Sequence, residues 1–160
     1  MEYEIVSLPE KVVVGIAART NNSATDMGMV IGGLWKRFYG EGVYESILDK
    51  ADEKAIGLYT DYAGDATDDY TVMVCCMVGK KPEDSPYEIR KIPAGRYAKF
   101  VISCNMHTAV TAVAKAWQEI WKMDLPRIFI CDFEEYQNDD MEHTEIHLYI
   151  GLKEKVKDEI

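Results

Sequence analysis

A chain of 160 residues, nearly half of them hydrophobic, is long enough to bury one substantial core and too apolar for wholesale disorder. Its formal net charge of −10 repels phosphate backbones, and no lysine or arginine stripe reverses that locally, so direct nucleic-acid binding is not expected. No apolar run reaches the length of a membrane span, and the opening Met1-Glu2-Tyr3-Glu4 lacks a basic region or signal-type apolar stretch; a cytoplasmic protein with no membrane partner is expected.

In chain order, Val12 to Ala17 is a β-branched run after the turn at Pro9-Glu10 and predicts a strand. Asn21-Asn22-Ser23 interrupts it, and Ser23 with Asp26 marks a helix start. Apolar residues then recur at Met27, Val30, Ile31, Leu34, Trp35 and Phe38, one face of a helix that Gly40 ends. Gly28, Gly32 and Gly33 weaken that helix by roughly 1 kcal/mol each relative to alanine, a cost that close packing on a sheet would offset. Glu41 to Lys54 reads as a loop or a poorly packed helical stretch. Ile56 to Asp61 predicts a strand, Gly64 to Asp69 a turn, and Tyr70 to Val78 a second, largely apolar strand. Lys80 to Ser85 is polar, contains Pro82 and connects two halves.

The second half repeats this order. Tyr87 to Ile92 and Arg96 to Ile102 are expected strands around a Pro93-Ala94-Gly95 turn. Asn105 is placed to cap a helix with Val110, Val113, Trp117, Ile120 and Trp121 on its apolar face, and Pro126 closes that region. Ile128 to Glu135 predicts a strand, Gln137 to Asp140 a turn, and Thr144 to Leu152 the last long strand. Laying Trp35 on Trp117 brings Ile31 onto Val113, Leu34 onto Ala116, Phe38 onto Ile120 and Tyr39 onto Trp121. Ile56-Gly57-Leu58-Tyr59-Thr60-Asp61-Tyr62 then parallels Arg127-Ile128-Phe129-Ile130-Cys131-Asp132-Phe133. A period this long that occurs only twice indicates duplication within one domain. The expected fold is α+β: a single domain, 1–160, of two pseudo-symmetric βαββ repeats, about 1–80 and about 87–160. Two antiparallel sheets with one main helix each would pack about a pseudo-twofold axis.

The quoted segments resemble a known family. Phe133-Glu134-Glu135-Tyr136, a short acidic turn and Thr144 to Lys153 resemble the closing hairpin of GyrI-like small-molecule-binding domains, also called AraC-type effector-binding domains. Ile92 to Phe100 resembles the strand that opens that family's second half, and Leu34-Trp35-Lys36-Arg37-Phe38 and Trp117-Gln118-Glu119-Ile120-Trp121 fit its helices. The resemblance implies SHS2-like βαββ repeats with a ligand cleft between the halves. It implies a small-molecule ligand, lipophilic and cationic or aromatic, and a stand-alone form, since the chain leaves no room for an additional DNA-binding domain. Related members include gyrase-inhibitor-like proteins and hydrolases of reactive electrophiles, so a protein-binding module and a hydrolase are the rival readings. No cofactor is expected, and the oligomeric state is expected to be a monomer or weak homodimer.

Candidate site residues concentrate in the closing hairpin. Alternation puts Ile146, Leu148 and Ile150 on one face of the last strand and Glu145, His147 and Tyr149 on the other. The second face suits a cleft wall, or more plainly a half-solvated sheet surface. The resemblance favours Glu145, which matches the family's cleft-glutamate region. Glu134 and Tyr136 match its Phe-Glu-x-Tyr pattern, so Glu134 and Glu145 are expected to converge on a ligand cation. Tyr59, Trp35 and Trp117 are the expected aromatic contacts, although core packing accounts for most aromatics at such spacing. For a hydrolase, Glu145 or Glu134 would activate water and Tyr136 would steer or protonate the substrate. A metal site is not expected, because His143 and His147, four apart on a strand, lie roughly 13 Å from each other. Cys75, Cys76, Cys104 and Cys131 form no CxxC pair and read as free, mostly buried thiols.

Overall fold

The computed structural model describes residues 1–65, 67–138, 140 and 142–154. Parts of two expected turns (66 and 139) and the last six residues of the second repeat lie outside the described residues.

The elements run β1 (Glu4–Leu8), β2 (Lys11–Thr20), α1 (Met27–Gly40), α2 (Val43–Ser46), β3 (Ala55–Thr60), β4 (Tyr70–Val78), β5 (Glu88–Ile92), β6 (Gly95–Cys104), α3 (Ala109–Trp121), β7 (Arg127–Tyr136) and β8 (Thr144–Leu152). All the strands enter one antiparallel sheet in the order β1-β6-β8-β7-β3-β4-β2-β5. That order is palindromic in the repeats: β1 matches β5, β2 matches β6, β4 matches β8, and β3 matches β7 at the centre. The two expected half-sheets therefore join edge to edge through β3 and β7 into a continuous surface.

The outermost strands are exchanged. β1 pairs with β6 of the second repeat and β5 with β2 of the first. Only Pro9 and Glu10 separate β1 from β2, and only Pro93 and Ala94 separate β5 from β6, yet each pair stands near opposite ends of the strand order. Links that short force the two ends of the sheet together, so the sheet curls. One face becomes the interior of the curl, where Val13, Ile56, Leu58, Met73, Cys75, Ile92, Tyr97, Phe133 and Tyr149 form a core with no helix in it. Lys11 Nζ lies 3.2 Å from Glu135 Oε2 although β4 and β3 stand between their strands. In a flat sheet three strand spacings would be roughly 14 Å.

The outer face carries the helices. Leu34 and Phe38 of α1 pack on Val14, Ile16, Val72, Val74 and Cys76 of β2 and β4. Ala116 and Ile120 of α3 pack equivalently on Ala98, Phe100, Ile102, Ile146 and Leu148 of β6 and β8. Leu34 and Phe38, the buried residues of α1, are the partners of buried Ala116 and Ile120 in the Trp35-on-Trp117 alignment; α3 buries Ala109 besides. Because β4 is covered on both faces, it reads as a nearly unbroken apolar run. The central strands β3 and β7 lie between the helices, and the floor of that space is the seam between repeats.

Candidate functional site

At the seam Gly57 of β3 pairs with Glu134 of β7. Both lie on the helix-bearing face, since Glu134 pairs on its other side with Leu148 of the α3 core. Glu134 is only 3% exposed. Tyr59 Oη donates to its Oε1 at 2.9 Å, Trp117 Nε1 to the same oxygen at 2.8 Å, and Tyr136 Oη to Oε2 at 3.3 Å. Among the described residues it makes no ion pair. Burial raises its carboxyl above the ordinary value, and the three donated hydrogen bonds only partly oppose that.

Aromatic rings enclose this carboxylate. Trp117 meets Tyr59 edge-on at 5.2 Å between centroids, and Trp35 meets Tyr136 edge-on at 5.0 Å. Each helix thus sends its tryptophan across the seam to a tyrosine of the other repeat. One turn further along, Tyr39 stacks on Trp35 and Trp121 tilts against Trp117. These outer rings are 55% and 48% exposed, forming the solvent-facing edge of the cluster. Burial, followed by the Glu134 charge, pushes Tyr59 and Tyr136 far up and Tyr70 up to about 12, so all three remain hydroxyl donors at neutral pH.

A second buried network flanks the first. Arg127 Nη2 donates to Asp132 Oδ2 at 2.8 Å, Tyr62 Oη donates to the same oxygen at 2.6 Å, and the Gly151 amide donates to Oδ1 at 2.9 Å. The Arg127 guanidinium lies 4.4 Å from the Phe129 ring and 5.8 Å from that of Trp117, the indole that holds Glu134. Tyr62 touches Tyr70, which touches Tyr59, closing a ring of contacts around the cluster.

Of the expected site residues, Glu134, Tyr136, Tyr59, Trp35 and Trp117 come together. Glu145, His147 and Tyr149 do not. They share one face of β8, as alternation predicts, but His147 pairs with Glu135 and Tyr149 with Phe133, which turns all three away from Glu134. The reason is that the space between the helices opens on the side of Ile146, Leu148 and Ile150, where α3 covers β8. The expected convergence of Glu134 and Glu145 is therefore corrected: they occupy opposite faces. Glu145 is half-exposed and binds His147 Nε2 at 2.8 Å, while Tyr149 stacks on Phe133 at 4.7 Å inside the curl. The hairpin alignment is corrected as well. Tyr59 lies two residues beyond Gly57 and Tyr136 two beyond Glu134, so Tyr59 corresponds to Tyr136. The first half of β7 hides this, because its register breaks between Arg127 and Asp132 and Phe129 is left-handed at φ 56°. Gly57, Asp132 and Arg127 were not among the expected site residues; a glycine inside an apolar strand was the available signal for the first.

A cavity of about 350 Å³ lies elsewhere, lined by Gly15, Ile16, Ala17, Arg37 and the 86–89 segment. The described residues include no group of three or more His, Cys, Asp or Glu side chains able to hold a metal, and no helix long and apolar enough to cross a membrane.

The family model described as "Cass2: Integron-associated effector binding protein" matches residues 4–152. Among solved structures, an integron cassette protein from the mobile metagenome of Vibrio cholerae superposes with a TM-score of 0.75 at 25% identity, over 94% of this chain and 95% of that one. SAV2435, solved bound to tetraphenylphosphonium, gives 0.73 at 21% identity over 94% of each chain. A Staphylococcus aureus MU50 protein gives 0.70 at 20% identity, over 94% and 99%. No curated protein matches the chain significantly. The GyrI-like fold expected from the sequence is the fold of these neighbours.

Proposed function

The chain belongs to the Cass2 family of integron-associated effector-binding proteins, and we propose that it works as one unit that captures lipophilic, cationic or aromatic small molecules between its repeats. The observation that carries this reading is Glu134. A carboxylate sealed among two tryptophans and two tyrosines, supported by neutral donors and with no cation paired to it among the described residues, is a costly arrangement. A ligand cation would supply the missing counter-charge, and the faces of Trp35 and Trp117 would add apolar contact and cation–π attraction.

The binding residues proposed are Glu134, Tyr59, Tyr136, Trp35 and Trp117. Glu145 and His147, on the other face, are assigned to surface electrostatics and Tyr149 to the core. Tetraphenylphosphonium, the ligand of one structural neighbour, is a suitable first probe. Calorimetry should detect binding to the wild type, at least about tenfold weaker binding to Glu134→Gln, and little change for Glu145→Gln. Unchanged affinity in Glu134→Gln would overturn the assignment. Turnover of a strained electrophile abolished by the same substitution would favour the hydrolase reading, and a stable protein partner in place of ligand binding would favour the interaction module.

A further inference from the structure

The site is twofold in its aromatic frame and departs from that symmetry at its centre. Trp35 with Tyr136 forms one wall and Trp117 with Tyr59 the other, at nearly equal ring separations of 5.0 and 5.2 Å. Glu134 lies between the walls, its Oε1 accepting from Tyr59 and Trp117 of one and its Oε2 from Tyr136 of the other, and it faces Gly57 across the seam, where symmetry would place a second glutamate. Gly57 is closely approached. A methyl there would lie 3.2 Å from Glu134 Oε2 and 3.4 Å from Trp35 Cζ2, so the glycine leaves room both for the carboxylate and for the indole above it.

The charge of the site is thus single and set between the walls, while the walls are two and alike in their ring pairing. A positive centre over Glu134 has an aromatic wall on either side. A cation with two flat arms occupies both; a one-armed cation leaves one wall unused. A dication has to bury its second charge without a free carboxylate, because the flanking Asp132 is already paired with Arg127, at a desolvation cost.

We infer that Gly57 is a specificity-determining residue of this site: by carrying no side chain it holds Glu134 on the pseudo-twofold axis, and so sets the ligand class as a monocation with a central charge and two flat apolar arms. The inference rests on the cation-binding reading above.

The test compares dibenzyldimethylammonium (two arms), benzyltrimethylammonium (one arm) and 1,1′-dimethyl-4,4′-bipyridinium (two charges) by calorimetry. The proteins are the wild type, Gly57→Ala, Trp35→Leu and Trp117→Leu, each checked by thermal melting. The two-armed cation should bind the wild type about tenfold tighter than the one-armed one, and tighter than the dication. Each tryptophan variant should lose most of that arm preference, and Gly57→Ala should weaken the two-armed cation by about fivefold or more. Equal affinities for one and two arms overturn the inference while cation binding stands. So does a Gly57→Ala protein that both melts and binds as the wild type does. If Gly57→Ala fails to fold, the tryptophan variants decide: arm preference lost in only one of them shows a one-walled site and overturns the inference. Failure of every cation to bind the wild type overturns the cation-binding reading itself.

Discussion

At the scale of single residues, Glu134 and Asp132 are both buried carboxyls with three hydrogen-bond donors, and they respond oppositely to neutralisation. Burial raises the Glu134 carboxyl, so the folded state holds its proton more tightly than the unfolded chain does. Its contribution to stability is greatest when protonated and is lost as pH rises from the ordinary carboxylate value through the raised one. Glu134→Gln keeps the shape and an acceptor for Tyr59 and Trp117 while removing the charge. The ligand-free variant is expected to match the wild type below about pH 4 and to be more stable at pH 7, by up to about 2 kcal/mol. Thermal melts across that range check it, and a wild type that is the more stable protein at pH 7 would show the charge to be compensated already. Asp132 has Arg127 as a partner. Asp132→Asn leaves that guanidinium buried, with its Nε already without a hydrogen-bond partner among the described residues, and should cost roughly 3–5 kcal/mol in urea unfolding. A loss under about 1 kcal/mol would mean that the ion pair contributes little.

At the scale of elements, the strands and helices whose apolar pattern is undisturbed were legible from sequence. β4 and β8 have the expected bounds, and the alignment of α1 with α3 pairs residues that occupy equivalent buried positions. β1 was missed because it is short and mostly exposed, with its place set by pairing to β6 rather than by its own alternation. The side of the sheet on which Glu134 lies was illegible for a related reason. Alternation tells which residues of one strand share a face, but a register decides which faces of two strands coincide, and an odd offset separates Glu134 from Glu145. The curl was equally hidden, since it arises from short links between strands that do not pair. Its clearest side-chain mark is Glu135. Burial alone would raise this carboxyl, but the Gln137 hydrogen bond and the Lys11 and Lys54 charges outweigh it and hold the value low. The stabilisation is therefore present above the ordinary carboxylate pKa and lost as pH falls through the depressed one. Lys11→Met should cost roughly 3 kcal/mol at pH 7 and progressively less in acid, measured by urea unfolding at several pH values. A cost independent of pH would assign the effect to the contact of the Lys11 ammonium with the Phe133 ring, 5.6 Å from its centroid, rather than to the Glu135 carboxylate.

At the scale of the whole molecule, two electrostatic features would act on the proposed cationic ligand over different ranges. The net charge of −10 produces an attractive field outside the protein that salt screens over about 10 Å at 0.1 M. Glu134 acts only on contact, inside a cluster that shuts out water, where ionic strength has little purchase. The two should therefore separate kinetically. Raising salt from about 0.05 to 0.5 M is expected to lower the association rate of a monocationic probe severalfold and to leave its dissociation rate within about twofold. Glu134→Gln removes one charge among many, so it should keep the salt dependence of association while accelerating dissociation by about tenfold or more. Stopped-flow tryptophan fluorescence suits the measurement, because Trp35 and Trp117 line the seam and Trp121 stands at its edge. An association rate indifferent to salt would mean that the acidic surface has no part in capture. A dissociation rate unchanged by Glu134→Gln would mean that the bound cation does not sit against this carboxylate.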